Sequence, residues 1–268
     1  MSASLLLVGC GKMGGAMLDG WLKAGTVGRV VVVEPSGLPE GMRNPAVTAA
    51  TGPQDLPAGF VPDVVVLAVK PQVMDGVVPG YAGLVGPNTV FLSVAAGKTI
   101  AYFHRHLGSD AAIVRAMPNT PAAIGRGITV ACPNAAVGDA QRALCDALLR
   151  AVGEVGWVED ESLMDAVTAV SGSGPAYVFL LAEAMAAAGE AAGLPPELAQ
   201  RLARVTVAGS GELLHQSPQS AAALREAVTS PGGTTRAALD VLMAPDGLTE
   251  LMTRGVAAAA KRSKELAQ

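Results

Sequence analysis

Leu5-Leu6-Leu7-Val8-Gly9-Cys10-Gly11-Lys12-Met13-Gly14, read on through Val30-Val31-Val32-Val33-Glu34, is the stretch that decides the fold. Four aliphatic residues run without polar interruption up to Gly9, which is how a strand covered on both faces reads. The glycine pattern that follows opens an amphipathic segment, Gly14–Ala24, expected as a helix, and a second aliphatic run, Val30–Val33, closes a βαβ unit over residues 5–34. In such a unit Gly9 allows the tight turn, Gly11 lets backbone approach a pyrophosphate, and Gly14 lets helix and strand pack closely. The helix N-terminus then offers free N–H groups and partial positive charge to the anion. Glycine is common in this chain, 32 of 268 residues, so the pattern alone is weak evidence. The flanking strand and helix, and Glu34 about 20 residues past the turn, make it a dinucleotide site.

Glu34 leaves the choice of cofactor open. A carboxylate at the end of the second strand accepts from a ribose 2′-OH, which favours NADH. Ser36 follows at once and Arg43 is near, and both can receive a 2′-phosphate if Glu34 points away, which favours NADPH. Lys12 and Met13 complete the turn. Lys12 either adds charge near the phosphates or is an exposed lysine.

The first half of the chain continues to alternate. Val64–Val69, Val90–Val94 and Ile113–Arg115 read as buried strands, Ile128–Ala131 and Val155–Val158 as two more, with helices over Thr99–His106 and Asp139–Ala151. This is the pattern of a doubly wound, Rossmann-like parallel sheet. Ligands of such sheets bind along the carboxyl ends of the strands. Ala68-Val69-Lys70-Pro71 lies on that edge, as does the small-residue stretch around Ala95. Lys70 either faces the cofactor and substrate or is a surface lysine ahead of a helix. Arg115–Pro121 follows the next strand, where two prolines stiffen a loop that presents the Asn119 amide and the Thr120 hydroxyl.

Past Trp157 the strand-like runs stop. Helices are expected over Leu163–Val170, Ala176–Ala192, Pro196–Leu214, Ala221–Thr229, Thr235–Met243 and Leu248–Leu266. Gly193 with Pro195 just beyond marks one helix end. The boundaries are therefore residues 1–158 for a dinucleotide-binding domain and 159–268 for an all-α domain. Ala184–Ala192 is apolar around nearly its whole circumference, so it needs burial that the stretch from 159 to 268 cannot supply within one copy. A homodimer with the helical domains intertwined or packed together is expected, the alternative being a compact monomeric bundle.

Bulk properties remove other classes. The net charge is −4 and charged residues make up only 16%, which does not suit a nucleic-acid binder. Cys10, Cys132 and Cys145 are scattered, and His104, His106 and His215 form no ligand spacing, so neither a disulfide framework nor a metal site is expected. Met1-Ser2-Ala3-Ser4 lacks a basic leader, and the apolar run from Ala176 is stopped by Glu183. A cytoplasmic protein with no membrane span is expected.

Two hydroxyl-rich turns stand out in the helical half, Ser171-Gly172-Ser173-Gly174-Pro175-Ala176-Tyr177 and Thr229-Ser230-Pro231-Gly232-Gly233-Thr234-Thr235. Each is either a capped helix–helix turn or an anion nest. The second, with its glycines ahead of a helix, suits a carboxylate. No paired carboxylates, His–Asp pair or activated nucleophile is evident. A ketone reductase wants a positioned proton carrier, whereas an imine is more basic, can arrive protonated, and needs little beyond positioning. A hydroxyl such as Thr235 can hold its nitrogen.

With these residues in view the chain resembles the pyrroline-5-carboxylate reductase family over nearly its full length. The resemblance rests on Gly9–Gly14, Ala68–Pro71, Arg115–Pro121, Ser171–Tyr177 and Ser230–Thr235, in that order. It implies reduction of 1-pyrroline-5-carboxylate to L-proline by NADPH or NADH, and a Rossmann domain followed by a helical dimerisation domain, with dimers often assembled further. It implies cofactor contacts at Gly9, Gly11, Lys12, Met13, Gly14, Glu34, Ser36, Ala68, Val69, Lys70, Pro71, Ala95 and Asn119. It places the substrate between domains, its carboxylate on Ser230, Gly232, Gly233 and Thr234, with Thr235 beside the imine nitrogen and the site completed by the partner subunit. Hydroxyacid dehydrogenases and imine reductases share this architecture but depend on a lysine in the helical domain, where this chain has only Lys261 and Lys264. One departure is the segment Pro35–Phe60, whose Pro39, Pro45, Pro53 and Pro57 fall where the family has a helix. A short or irregular helix is expected there, and the resemblance does not extend to cofactor preference.

Overall fold

The computed structural model describes residues 3–266, so Met1-Ser2 lie outside it, as do the last two residues. The described residues form two compact units. One runs up to Gly172 and takes in the residues from Ala260 onward, and the other is Ser173–Ala259.

The first unit is built on an eight-stranded sheet. Its strands are β1 (Ala3–Val8), β2 (Val27–Val33), β3 (Val47–Ala50), β4 (Val64–Leu67), β5 (Val90–Ser93), β6 (Ala112–Met117), β7 (Gly127–Pro133) and β8 (Gly153–Trp157). They lie in the order β3-β2-β1-β4-β5-β6-β7-β8. All neighbours are parallel except β6 and β7, so the last two strands run against the rest. The strand order reverses direction at β1, between β2 and β4, which puts the carboxyl end of β1 at the switch point where doubly wound sheets bind ligands.

Successive residues of a strand point to opposite faces, and here both faces are covered. Leu5, Leu7, Val30, Val32, Val64 and Val66 pack with Met17, Leu18 and Trp21 of α1 (Lys12–Ala24), and with Cys145 and Leu148 of α4 (Asp139–Arg150). Leu6, Val8, Val31, Val33, Val65 and Leu67 pack on the other face. Their partners are Met74 of α2 (Met74–Val77), Tyr81, and Phe103 and Leu107 of α3 (Ile100–Leu107). Each fully buried aliphatic side chain contributes roughly 1.5–3 kcal/mol, which is why the aliphatic runs define the sheet. Trp21 is wholly buried, and its ring N–H is satisfied by the Leu148 carbonyl at 2.8 Å, pinning α1 to the end of α4.

Three local expectations change. The connection after β2 holds no α-helix: its helical part is a single 3₁₀ turn, Pro53–Asp55, and it adds an unexpected strand, β3, paired in register with β2 from Val30↔Val47 to Val33↔Ala50. The segment expected to begin as a loop at Arg115 remains in β6 as far as Met117. The helix expected over Leu163–Val170 is present but irregular: a 3₁₀ turn at Glu161–Leu163 runs into α5 (Met164–Val167) and then into a π-helical stretch over Thr168–Gly172. A Cβ on Gly172 would fall 2.4 Å from Met117 Cε, the free end of a flexible side chain that can move aside.

The second unit is helical. It holds α6 (Gly174–Ala191), α7 (Pro196–Gln216), α8 (Ala221–Ala227), α9 (Thr234–Leu242) and most of α10 (Leu248–Leu266). α6 and α7 pack along each other. In the single chain these helices leave large apolar side chains exposed, among them Phe179 at 63%, Val205 at 63%, Leu213 at 66% and Val241 at 72%. An apolar surface of that extent is an association surface. The last turn of α10 returns to the first unit, where Ser263 Oγ donates to Asp165 Oδ1 at 2.6 Å. Among the described residues no helix is long and apolar enough to cross a membrane.

Candidate functional site

The glycine turn joins β1 to α1. Gly9 has φ +92°, a conformation that side chains rarely adopt, and a Cβ there would lie 2.8 Å from Val69 Cγ1 and 3.0 Å from the Ala68 carbonyl. A Cβ on Gly14 would meet the Gly9 carbonyl oxygen at 2.2 Å and Ala68 Cβ at 3.2 Å. Two of the three glycines thus close the turn against the exit of β4. Gly11 is different. It caps α1, and nothing lies within 4 Å of where its Cβ would be. No side chain caps α1, so its first N–H groups, which have no intrahelical partner, remain available to an anion. An empty approach at Gly11, with uncapped amides behind it, fits a dinucleotide pyrophosphate.

Glu34 follows β2 directly, and its carboxylate turns back into this turn. Oε2 accepts from the Cys10 N–H at 2.9 Å, and Oε1 accepts from the Ser36 hydroxyl at 2.8 Å and from the Ser36 N–H at 3.3 Å. Burial by itself pushes the carboxyl pKa up, but the hydrogen bonds from Cys10 and Ser36 outweigh it and hold it below its ordinary value. The Cys10 thiol moves the other way, raised by burial and then by the Glu34 charge.

The other strand-end residues fall on the same edge with different degrees of commitment. Lys12 and Lys70 are exposed, while Met13 is half-buried against the core below α1. Lys70 and Pro71 open a short 3₁₀ turn after β4. Ala95 is buried, its N–H donating to Ser93 Oγ at 3.3 Å. Asn119 Oδ1 accepts from the Ile128 N–H at 3.0 Å, so the amide oxygen ties the proline-bounded loop to β7 rather than facing outward.

Sequence reasoning missed a link behind this edge. Arg115, 5% exposed, reaches Glu161 Oε1 at 2.8 Å, and the same oxygen accepts from the Ile100 N–H at 2.9 Å in the first turn of α3. Arg115 stood out in the sequence only as part of a loop; an arginine inside an apolar run was the available signal. Ser171 lies in the π-helical stretch, and its hydroxyl oxygen is buried with no hydrogen-bond partner among the described residues.

In the second unit, Ser230-Pro231-Gly232-Gly233 makes a tight turn into α9. The Gly233 N–H donates to the Ser230 carbonyl at 3.1 Å, and Gly232 takes φ +68°. Gly233 caps the helix without a side chain, so the amides of its first turn are uncapped. Ser230 and Thr234 are exposed, and Thr235 is half-buried in the first turn of α9. Among the described residues no group of three His, Cys, Asp or Glu side chains is placed to hold a metal ion.

Known proteins share this arrangement. Residues 161–266 match the family model described as pyrroline-5-carboxylate reductase dimerisation. Residues 4–97 match that of NADP oxidoreductase, coenzyme F420-dependent. The chain is 41% identical to the pyrroline-5-carboxylate reductase of Synechocystis sp. over 99% of both chains. It is 46% identical to that of Pseudomonas aeruginosa over 77% of this chain and 75% of the relative. Its fold superposes on the pyrroline-5-carboxylate reductase of Coxiella burnetii with a TM-score of 0.90, at 34% identity and full coverage of both chains. It superposes on the Plasmodium falciparum enzyme with NADP bound at 0.81, with 29% identity over 99% of this chain and 98% of that one. A glycine turn at the switch point of the sheet, a helical unit with exposed apolar faces and full-length relatives at this identity together assign the chain to the pyrroline-5-carboxylate reductase family.

Proposed function

We propose that this chain reduces 1-pyrroline-5-carboxylate to L-proline with NADPH or NADH, the last step of proline biosynthesis. The observation that carries the reading is the turn Ser230–Gly233, which opens α9 with uncapped amides and hydroxyls and sets Thr235 in the first helical turn. That is an anion seat without an acid–base pair, and it suits a substrate that carries a carboxylate and a basic C=N nitrogen. Ser230, Gly232, Gly233 and Thr234 hold the carboxylate. Thr235 Oγ1 hydrogen-bonds the imine nitrogen and orients its proton. Gly9, Gly11, Lys12, Met13 and Gly14 hold the pyrophosphate, while Ala68, Val69, Lys70, Pro71, Ala95 and Asn119 line the rest of the strand-end edge. The bound reduced nicotinamide supplies the hydride to the imine carbon.

In functional terms residues 1–158 bind the dinucleotide, and residues 159–268 bind substrate and dimerise. The dimerisation match, which begins at 161, supports this division. The exposed apolar faces around Phe179, Val205 and Val241 support a homodimer, and dimers assemble further. The protein works in the cytoplasm.

The test is oxidation of NADPH or NADH by purified dimer given 1-pyrroline-5-carboxylate. Absence of turnover with both cofactors, on folded protein, sinks the proposal. Thr235→Ala lowers kcat about 100-fold while cofactor affinity holds, and Thr235→Ser restores part of the rate. Unchanged kinetics in Thr235→Ala removes the residue from the mechanism.

A further inference from the structure

The direction of the Glu34 side chain determines which atoms beside the glycine turn remain for the adenosine ribose. A carboxylate offers about four acceptor positions. On Oε1 both are engaged by Ser36, and on Oε2 one is engaged by Cys10. One acceptor position is left, on Oε2. The donors of Ser36 are engaged too: its hydroxyl proton and its N–H both point at Glu34, so neither is left for a phosphate. No lysine or arginine among the described residues forms an ion pair with Glu34. Arg43 is the only cation between Glu34 and Asn44, and it is exposed. Lys12, at the start of α1, is exposed as well. The site at the end of β2 thus presents one acceptor, a full negative charge and no organised donor.

We propose that Glu34 sets the cofactor preference of this chain: it accepts from the ribose 2′-OH of NADH and repels the 2′-phosphate of NADPH. The proposal rests on the glycine turn being a dinucleotide site and specifies that site. A carboxylate and a phosphate dianion about 5 Å apart repel enough, even at the dielectric of water, to cost about ten-fold in affinity. The preference is argued from these side chains and not from family membership.

The experiment is equilibrium binding by calorimetry to the substrate-free protein. NADH is compared with NADPH, and ADP-ribose with its 2′-phosphate, which removes the nicotinamide from the comparison. Each of the two pairs is expected to differ by at least about ten-fold in favour of the unphosphorylated ligand. Glu34→Gln keeps the side-chain length and an oxygen for the Cys10 N–H, and is expected to bring both ratios near unity, chiefly through tighter binding of the phosphorylated ligands. Glu34→Ala gives the same direction if the glutamine variant is poorly folded. Equal or tighter binding of NADPH by the wild-type protein overturns the proposal, as do ratios unchanged in both variants. Binding of none of the four ligands overturns the dinucleotide reading itself, an outcome distinct from loss of preference.

Discussion

Glu34 and Cys10 are joined by a hydrogen bond of 2.9 Å between a carboxylate oxygen and a backbone N–H of the phosphate turn. The end of β2 and the loop after β1 are therefore one electrostatic unit. A charge held there acts on whatever occupies the turn, and the turn's own shape depends on two glycines that face inward and one that faces an opening.

That difference predicts opposite outcomes for two similar substitutions. Gly14→Ala places a Cβ 2.2 Å from the Gly9 carbonyl oxygen, a backbone atom that cannot swing aside. It is expected to lower stability by about 1–3 kcal/mol and to abolish cofactor binding. Gly11→Ala meets nothing within 4 Å in the protein. It is expected to leave stability within about 0.5 kcal/mol while weakening NADH and NADPH binding. Urea denaturation together with calorimetric titration separates the two, and equal destabilisation by both variants would contradict the assignment of Gly11 to the ligand side.

Arg115 and Glu161 form an ion pair whose arginine is almost wholly buried and whose glutamate side chain is 29% exposed. Glu161→Ala leaves the guanidinium unpaired and the Ile100 N–H without its acceptor. The expected loss is about 1–3 kcal/mol, below the full value for a deeply buried pair because water reaches the glutamate. Arg115→Met fills similar volume with no charge and is expected to cost less than Glu161→Ala. Thermal melting of both variants checks the order.

All three cysteines are buried. Burial pushes the Cys145 thiol up to about 12. It also raises Cys10, where Glu34 adds to the effect, and Cys132, where Glu161 adds to it. Since the thiolate is the reactive form, a chromogenic disulfide reagent at mildly alkaline pH is expected to react with none of the thiols rapidly in native protein. After unfolding it reacts with all three. Fast labelling of Cys10 in the native state would show that the glycine turn opens.

Asp146 accepts from the Trp157 ring N–H at 2.9 Å and from Arg150 Nε at 2.6 Å. Burial raises its pKa, but these two hydrogen bonds and the Arg150 charge outweigh it, so the folded value lies below the ordinary one. A depressed folded-state pKa contributes stability that is fully present above the unfolded value, near 4, and is lost as pH falls through the folded value. Wild-type protein is therefore expected to be more stable than Asp146→Asn at neutral pH. The gap should close in the acid range below about pH 4. Urea midpoints measured across that range test the sign.

Much of the fold was legible because its signals are local. β1, β2, β4 and β5 are aliphatic runs buried on both faces, and α1 begins where Gly14 can pack against a strand. β3 was not legible. Val47-Thr48-Ala49-Ala50 is short, small and mostly exposed, and it is a strand only because β2 offers it an edge at the right register. The reversal at β7 left no mark either, since an apolar run reads the same in both directions. The π-helical stretch Thr168–Gly172 was not legible either, since the helical period of Leu163–Val170 does not distinguish it from an α-helix.

The sequence by itself determined that a βαβ unit with a glycine-rich turn opens the sheet, that an acid stands at the end of its second strand, and that a helical half with large apolar faces follows. Spacing and hydrophobic period suffice for these, because secondary structure answers to neighbours a few residues away. Only the tertiary structure decided where the Glu34 carboxylate points. Its partners are an amide in the Gly9–Gly14 turn and the hydroxyl and amide of Ser36, and the first of these is brought within reach only when β1 and β2 pair in the sheet. Which donors that leaves for a cofactor follows from that pairing, through hydrogen bonds between residues far apart in the chain.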